Sequence, residues 1–130
     1  MKLWKWWILV VAIVSGPWFG VTLRPQWSRV TWIPFRGRED KASDMIGNAL
    51  LWMPFGWSFL SGRRPGSGLA AAVGVAALVS FGAEASQLFF IARDPSLTDV
   101  VMGVCGAATG GAAAILARHA SARASIAGPR

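Results

Sequence analysis

A few acidic and amide residues stand at helical spacing inside otherwise apolar segments. Glu84 and Gln87 are three residues apart, and Asp44 and Asn48 are four apart, so each pair lies on one face of a helix. Asp99 stands at the start of the next apolar segment. Carboxylates can transfer protons as general acids or bases, and beside arginines they can hold a polar ligand. These residue types therefore predict either a binding site or an acid/base centre.

The predicted ligand-binding set consists of the polar residues expected at one end of the helices: Arg36, Asn48, Glu84, Gln87, Arg93 and Asp99. Glu84 and Asp99 are also the candidate catalytic pair, because two carboxyl groups in different surroundings can divide the roles of acid and base. Ser80 and Ser86 have no histidine within reach by sequence. The single cysteine, Cys105, excludes a disulfide framework, and one thiol with one histidine cannot form a metal cage. We favour binding over catalysis and predict neither a cofactor nor a metal.

Four long charge-free segments must position these residues. Each contains about 18–19 residues, near the length that an α-helix needs to cross ~30 Å of hydrocarbon. They lie between Lys5 and Arg24, Asp44 and Arg63, Arg64 and Glu84, and Asp99 and Arg118. The chain has 130 residues, of which 54% are hydrophobic. A soluble domain of this size buries only about 65–70% of its unfolded surface, so lipid is the natural solvent for the remainder.

The sequence predicts an all-α fold, a four-helix transmembrane bundle with a structured loop between spans one and two. We place the spans near residues 4–23, 44–61, 68–91 and 97–117 of a single domain, 1–130, with a flexible tail over 118–130. The first span is predicted to be retained, because Pro17, Trp18 and Phe19 stand where a cleaved leader needs small residues. Gly106 and Gly110 give the fourth span a small-residue face for close packing within the chain.

Charge is distributed unequally between the two ends of this bundle. Four spans place both termini on one side, and that side carries seven basic residues and no acid: Lys2, Lys5, Arg63, Arg64, Arg118, Arg123 and Arg130. The other side carries six basic residues and all six acids. We predict a multi-pass protein of the cell membrane with both termini cytoplasmic. The net charge of +7 does not indicate nucleic-acid binding, because the basic residues form short clusters at the span ends.

Glu84 is the most informative of the polar residues. It precedes the predicted end of span three by about seven residues, which is roughly 10 Å of helix. An ionised carboxylate near the bilayer centre costs roughly 2.5–3.5 kcal/mol on insertion scales, so even at this shallower depth it needs a partner or water. Hydrogen bonds inside membranes average only about 0.6 kcal/mol, too little to explain so many charges as a clamp between helices. We therefore predict a polar pocket that opens outward.

Several motifs resemble those of VanZ-like membrane proteins in both order and spacing. They are Ile33-Pro34-Phe35, the run from Gly47 to Trp57, Glu84-x-x-Gln87 followed by Arg93, and Asp99 with Gly106 and Gly110. One position departs from the family pattern, because Gly103 stands where an asparagine is expected four residues after Asp99. The resemblance implies a multi-span envelope protein, and the namesake of the family is linked to resistance to the glycopeptide teicoplanin.

These observations favour a binding protein whose pocket engages an amphiphile. The partners we expect are membrane lipids, a lipid-linked envelope precursor or a lipophilic glycopeptide antibiotic, with Trp27 and Trp32 at the depth of the lipid headgroups. An intramembrane enzyme that acts on a lipid-linked substrate through Glu84 and Asp99 is the first alternative. A small proton-coupled transporter is the second, and it would need to oligomerise because the chain has no internal repeat. The ligand and the oligomeric state stay open.

Overall fold

The computed structural model describes residues 3–14, 20–36, 41–61, 63, 65–91 and 94–127. These residues form four α-helices, which are α1 (Leu3–Val14), α2 (Ala42–Leu60), α3 (Pro65–Gln87) and α4 (Leu97–Ala127). A 3-10 turn, Trp27–Arg29, lies between α1 and α2. Within the described residues the only β-type pairing is two isolated bridges. The prediction of an all-α fold is confirmed.

Two of these helices are long and apolar enough to cross a membrane, over Ser67–Gln87 and Leu97–Ser125. Their exteriors remain apolar, with Leu78, Phe81 and Leu116 all exposed. Helix α1 is shorter than the predicted span 4–23, and residues 15–19 lie outside the described part of the chain. Helix α4 continues to Ala127, beyond the predicted end of its span near residue 117.

Helices α2 and α4 pack closely because glycines remove side chains from their contact. A Cβ atom added at Gly106 would overlap the carbonyl oxygen of Ala49, and one added at Gly110 would overlap that of Met53. The contact is reciprocal, since a Cβ at Gly56 would overlap the carbonyl oxygen of Ala107. The small-residue face of α4 is therefore used within the chain, against α2.

An aromatic core joins α1 to α2. Phe55 and Phe59 are buried on α2, and the Trp4 ring lies 5.1 Å from the Phe59 ring, centroid to centroid, in an edge-on arrangement. The Trp7 indole N–H donates to the carbonyl of Leu51. Pro54 has no backbone N–H, so the carbonyl four residues before it lacks its usual helical donor. Leu51 is the residue that follows that carbonyl. A neighbouring helix thus supports the backbone of α2 beside its proline.

The loop between α1 and α2 is bound to the connection between α3 and α4. The backbone N–H groups of Thr22 and Gln26 donate to the carbonyls of Phe89 and Leu88, at 2.8 and 2.9 Å. Thr31 donates to Pro95 at 2.9 Å and accepts from the Leu97 N–H at 3.1 Å. The turn of residues 88–91 takes part in this pairing, so α3 ends at Gln87 and not near residue 91.

Candidate functional site

Polar side chains from three helices line one open cavity of about 280 Å³. Helix α2 supplies residues from its first three turns, α3 supplies residues from its last turn, and α4 supplies residues from its first turn. The end of α1 closes one side. Among the described residues the lining consists of Val14, Asp44, Gly47, Asn48, Leu51, Glu84, Gln87 and Asp99. The helical hairpins therefore bring four of the six predicted ligand-binding residues together.

Glu84 is held at the N-terminal end of α4. The backbone N–H of Ser96 donates to Glu84 Oε2 at 2.8 Å, and the Ser96 hydroxyl oxygen accepts from the Thr98 N–H at 3.2 Å. The free N–H groups at a helix N-terminus carry a partial positive charge, which favours an anion beside them. Glu84 is half-buried, so its carboxylate is supported by the protein backbone and still reaches the cavity.

A smaller polar cavity of about 20 Å³ continues from this site into the bundle. Asn48, Glu84 and Asp99 line it together with Trp52 and Ser80. The Ser80 hydroxyl is buried and has no hydrogen-bond partner within the described part of the chain. A water molecule needs about 10–15 Å³ of such space and a few polar groups to bind, and this cavity provides both. The site therefore extends below the carboxylates, toward the centre of the bundle.

An apolar cavity of about 200 Å³ lies on the other side of Glu84. The rings of Trp27 and Trp32 are stacked at its mouth, with centroids 6.4 Å apart and planes 9° apart. Phe81 and Leu88 of the α3 segment form part of its wall. Glu84 thus borders a polar cavity and an apolar cavity at once, an arrangement suited to a molecule with a polar head and a hydrocarbon chain.

The predicted arginines do not form the wall of the polar cavity within the described residues. Arg36 lies in the exposed loop and is not among the lining residues, and Arg93 lies outside the described residues. Arg29, which the sequence did not single out, has a structural role. Its guanidinium donates to Asp94 Oδ1 at 2.5 Å and to the carbonyl of Ile91 at 2.6 Å. This pairing joins the 3-10 turn Trp27–Arg29, whose Trp27 lines the apolar cavity, to the connection between α3 and α4.

Two lining residues with a carboxylate or hydroxyl side chain were absent from the predicted set. Asp44 begins α2 one turn before Asn48, and Ser80 lies one turn before Glu84 on α3. Helical spacing from the chosen residues was the signal that could have included both. None of the described His, Cys, Asp and Glu side chains form a group of three that could hold a metal ion.

The VanZ/LLP1 family model matches residues 4–118, most of the chain. The chain belongs to the VanZ/LLP1 family. The resemblance noted in the motifs is therefore confirmed, and with the two apolar helices it supports a membrane protein. Neither the curated proteins nor the solved structures that were compared gave a match.

One departure of this VanZ/LLP1 protein from the motif has a structural counterpart. A Cβ atom added at Gly103 would lie 2.6 Å from Ser80 Oγ and 2.9 Å from Trp52 Nε1. The side chains of Ser80 and Trp52 therefore occupy the space into which an asparagine at this position would extend. Both residues line the small polar cavity, so polar atoms remain at this place although the asparagine is missing.

Proposed function

We propose that the chain is a four-span integral membrane protein of the cell envelope that binds an amphiphile at one end of its helix bundle. A single observation carries this proposal. Asn48, Glu84, Gln87 and Asp99 come from three helices and line one open cavity in a molecule whose exterior bears many exposed apolar side chains. Both termini are cytoplasmic in this proposal, so the cavity opens to the outer face of the membrane.

The polar and apolar cavities together indicate which parts of the ligand are polar and which are apolar. Its headgroup occupies the polar cavity, where carboxylates and amides bind hydroxyl, amino or amide groups. Its hydrocarbon chain occupies the apolar cavity beside Trp27, Trp32 and Phe81. A cavity of about 150 Å³ lined by apolar side chains is enough to hold a benzene molecule, so 200 Å³ suits a short length of alkyl chain. Lipid-linked envelope precursors and lipophilic glycopeptides both have this construction.

Lipid that copurifies with the protein provides the direct test. The wild type, Glu84→Gln and Lys41→Gln are purified in the same detergent, and bound lipids are extracted and identified by mass spectrometry. Lys41 is the matched control, because it is a charged residue at the same end of the bundle, is exposed and lines neither the polar nor the apolar cavity. We expect Glu84→Gln to lose a lipid that the wild type and Lys41→Gln retain. Equal lipid content in all three proteins would contradict the proposal.

A resistance assay tests whether the bound amphiphile is a glycopeptide antibiotic. Cells that express the wild type should tolerate more teicoplanin than cells that express Glu84→Gln, at equal protein levels in the membrane. The Lys41→Gln protein should behave as the wild type. If expression changes no susceptibility, a glycopeptide is not the ligand, and the copurified lipid identifies the alternative.

An enzyme acting on a lipid-linked substrate is the second candidate. The observation that favours it is that Glu84 and Asp99 line the same small cavity, which has room for a water molecule. One carboxyl group could then act as acid and the other as base. Membrane lipids incubated with the purified protein and separated by thin-layer chromatography would reveal turnover. Loss of turnover in both Glu84→Gln and Asp99→Asn would support the enzyme, and no turnover by the wild type would exclude it for those lipids.

A further inference from the structure

The end of the bundle opposite the polar cavity is basic. Arg118 lies 19 residues after Asp99 on α4, which is about 28 Å along the helix axis. Lys5 lies near the start of α1, far from Val14 at the cavity end, and Arg63 follows α2. None of the described residues at this end is acidic, and the sequence has no acid before Glu39 or after Asp99. Among the described residues, therefore, no side-chain carboxylate neutralises the positive charge at this end.

Arg118 is incompletely satisfied at this basic end. Its Nη1 donates to the carbonyl oxygen of Arg63 at 2.7 Å. Its Nε and Nη2 are buried and have no hydrogen-bond partner among the residues that the structure describes. A buried donor without an acceptor is costly, and a guanidinium can only donate. Arg63 differs, because its guanidinium lies 3.7 Å from the centre of the Phe59 ring, where the aromatic face stabilises the charge. Of these two arginines, Arg118 is therefore the one whose guanidinium lacks acceptors.

A cavity of about 240 Å³ lies against Arg118. The other lining residues are three apolar residues and two serines. They are Trp57, Ala114, Ala117, Ser61 and Ser121. Both hydroxyl groups donate to backbone carbonyls one turn earlier in the chain, and neither accepts a hydrogen bond from Nε or Nη2 of Arg118. A ligand in this cavity would draw Nε and Nη2 toward it, and the half-buried position of Arg118 permits that movement.

We propose that this cavity binds the phosphate group of an anionic lipid. A guanidinium binds two phosphate oxygens at once through parallel N–H donors, and Nε and Nη2 are the two that lack an acceptor. The apolar residues around the cavity indicate that the phosphate is carried by a lipid. Trp57 is exposed beside the cavity, and Leu116 is exposed on the adjoining surface of the membrane-crossing helix α4. Acyl chains would pack on this surface while the phosphate meets Arg118. This site is independent of the amphiphile site around Glu84.

Thermal unfolding of the purified full chain in an uncharged detergent tests the proposal. Dioleoyl phosphatidylglycerol should raise the melting temperature of the wild type by several degrees, because a ligand that binds only the folded state stabilises it. Dioleoylglycerol has the same chains without the phosphate and should not. Inorganic phosphate at the same concentration should have a much smaller effect than the phospholipid. An equal response to inorganic phosphate would overturn the lipid assignment.

Two matched substitutions distinguish this site from general charge attraction. Ser121→Glu places a carboxylate in the cavity, so it should raise the melting temperature without lipid and abolish the response to phosphatidylglycerol. Ser125→Glu adds the same charge one turn further along α4, outside the lining residues, and should keep the response. Glu84→Gln should also keep it, which separates this site from the amphiphile site. A response of Ser121→Glu equal to that of Ser125→Glu would refute the proposal.

Discussion

Glu84 is the residue on which the proposed binding function depends most directly. It borders both the polar cavity and the apolar cavity, and it accepts a hydrogen bond from the Ser96 backbone at 2.8 Å. A glutamine at this position keeps a carbonyl oxygen for Ser96 and removes the negative charge. Loss of ligand in Glu84→Gln can therefore be assigned to charge and not to a collapse of the start of α4.

The close approach of Ser80 to Gly103 gives a second prediction about single residues. In Gly103→Ala the new methyl group crowds Ser80 Oγ and Trp52 Nε1, so we expect a loss of about 1–3 kcal/mol in the free energy of unfolding. In a Ser80→Ala background the nearest atom is gone, and the cost of Gly103→Ala should fall, leaving only the contact with Trp52. Unfolding by titration with a denaturing detergent measures all four proteins. Equal costs in both backgrounds would show that Ser80 does not fill this space.

At the scale of the helices, the contact between α2 and α4 holds the walls of the polar cavity in place. Asn48 and Asp99 are carried on these two helices, and glycines below them permit the close approach. Any side chain between the helices would separate Asn48 from Asp99. Packing far from the cavity therefore controls its shape.

Gly110→Ala tests this packing, with Gly74→Ala as its control. The alanine methyl at position 110 overlaps the carbonyl oxygen of Met53, and a backbone atom cannot rotate away, so we expect a loss of at least about 3 kcal/mol. A methyl group at position 74 has no neighbour within 4 Å, so that variant should unfold as the wild type does. Circular dichroism during detergent titration gives both values. If the two variants unfold alike, close packing does not limit stability.

At the scale of the whole molecule, a four-span and a two-span arrangement differ in the side of the membrane on which the loop before α2 lies. Only α3 and α4 meet the length and hydropathy expected of a span among the described helices. If α2 also crosses the membrane, Lys41 and Ser61 lie on opposite sides. If it does not, they lie on the same side. The location of Lys41 is therefore decisive for the topology.

Single cysteines at Lys41, Ser61, Asp94 and Ser125, placed in a Cys105→Ser background, report this topology. We expect a membrane-impermeant maleimide to label positions 41 and 94 in intact cells. Positions 61 and 125 should be labelled only after permeabilisation, because they lie on the cytoplasmic side. Labelling of positions 41 and 61 from the same side would contradict the four-span arrangement.

The sequence by itself determined the helices and the grouping of the polar residues. Charge-free runs of membrane-spanning length and helical spacing are local properties, and hairpin connections place Asn48, Glu84 and Asp99 at one end without knowledge of any contact. The family motifs are equally local, which is why the VanZ/LLP1 membership could be predicted from short segments.

Only the tertiary structure decided which side chains meet across the chain. It paired Arg29 with Asp94, 65 residues apart, and placed Glu84 between two cavities of opposite character. It also set Ser80 against Gly103 and left two nitrogen atoms of Arg118 without an acceptor among the described residues. Such contacts depend on the rotation and separation of helices that are distant in sequence. Residue spacing along one helix carries no information about either.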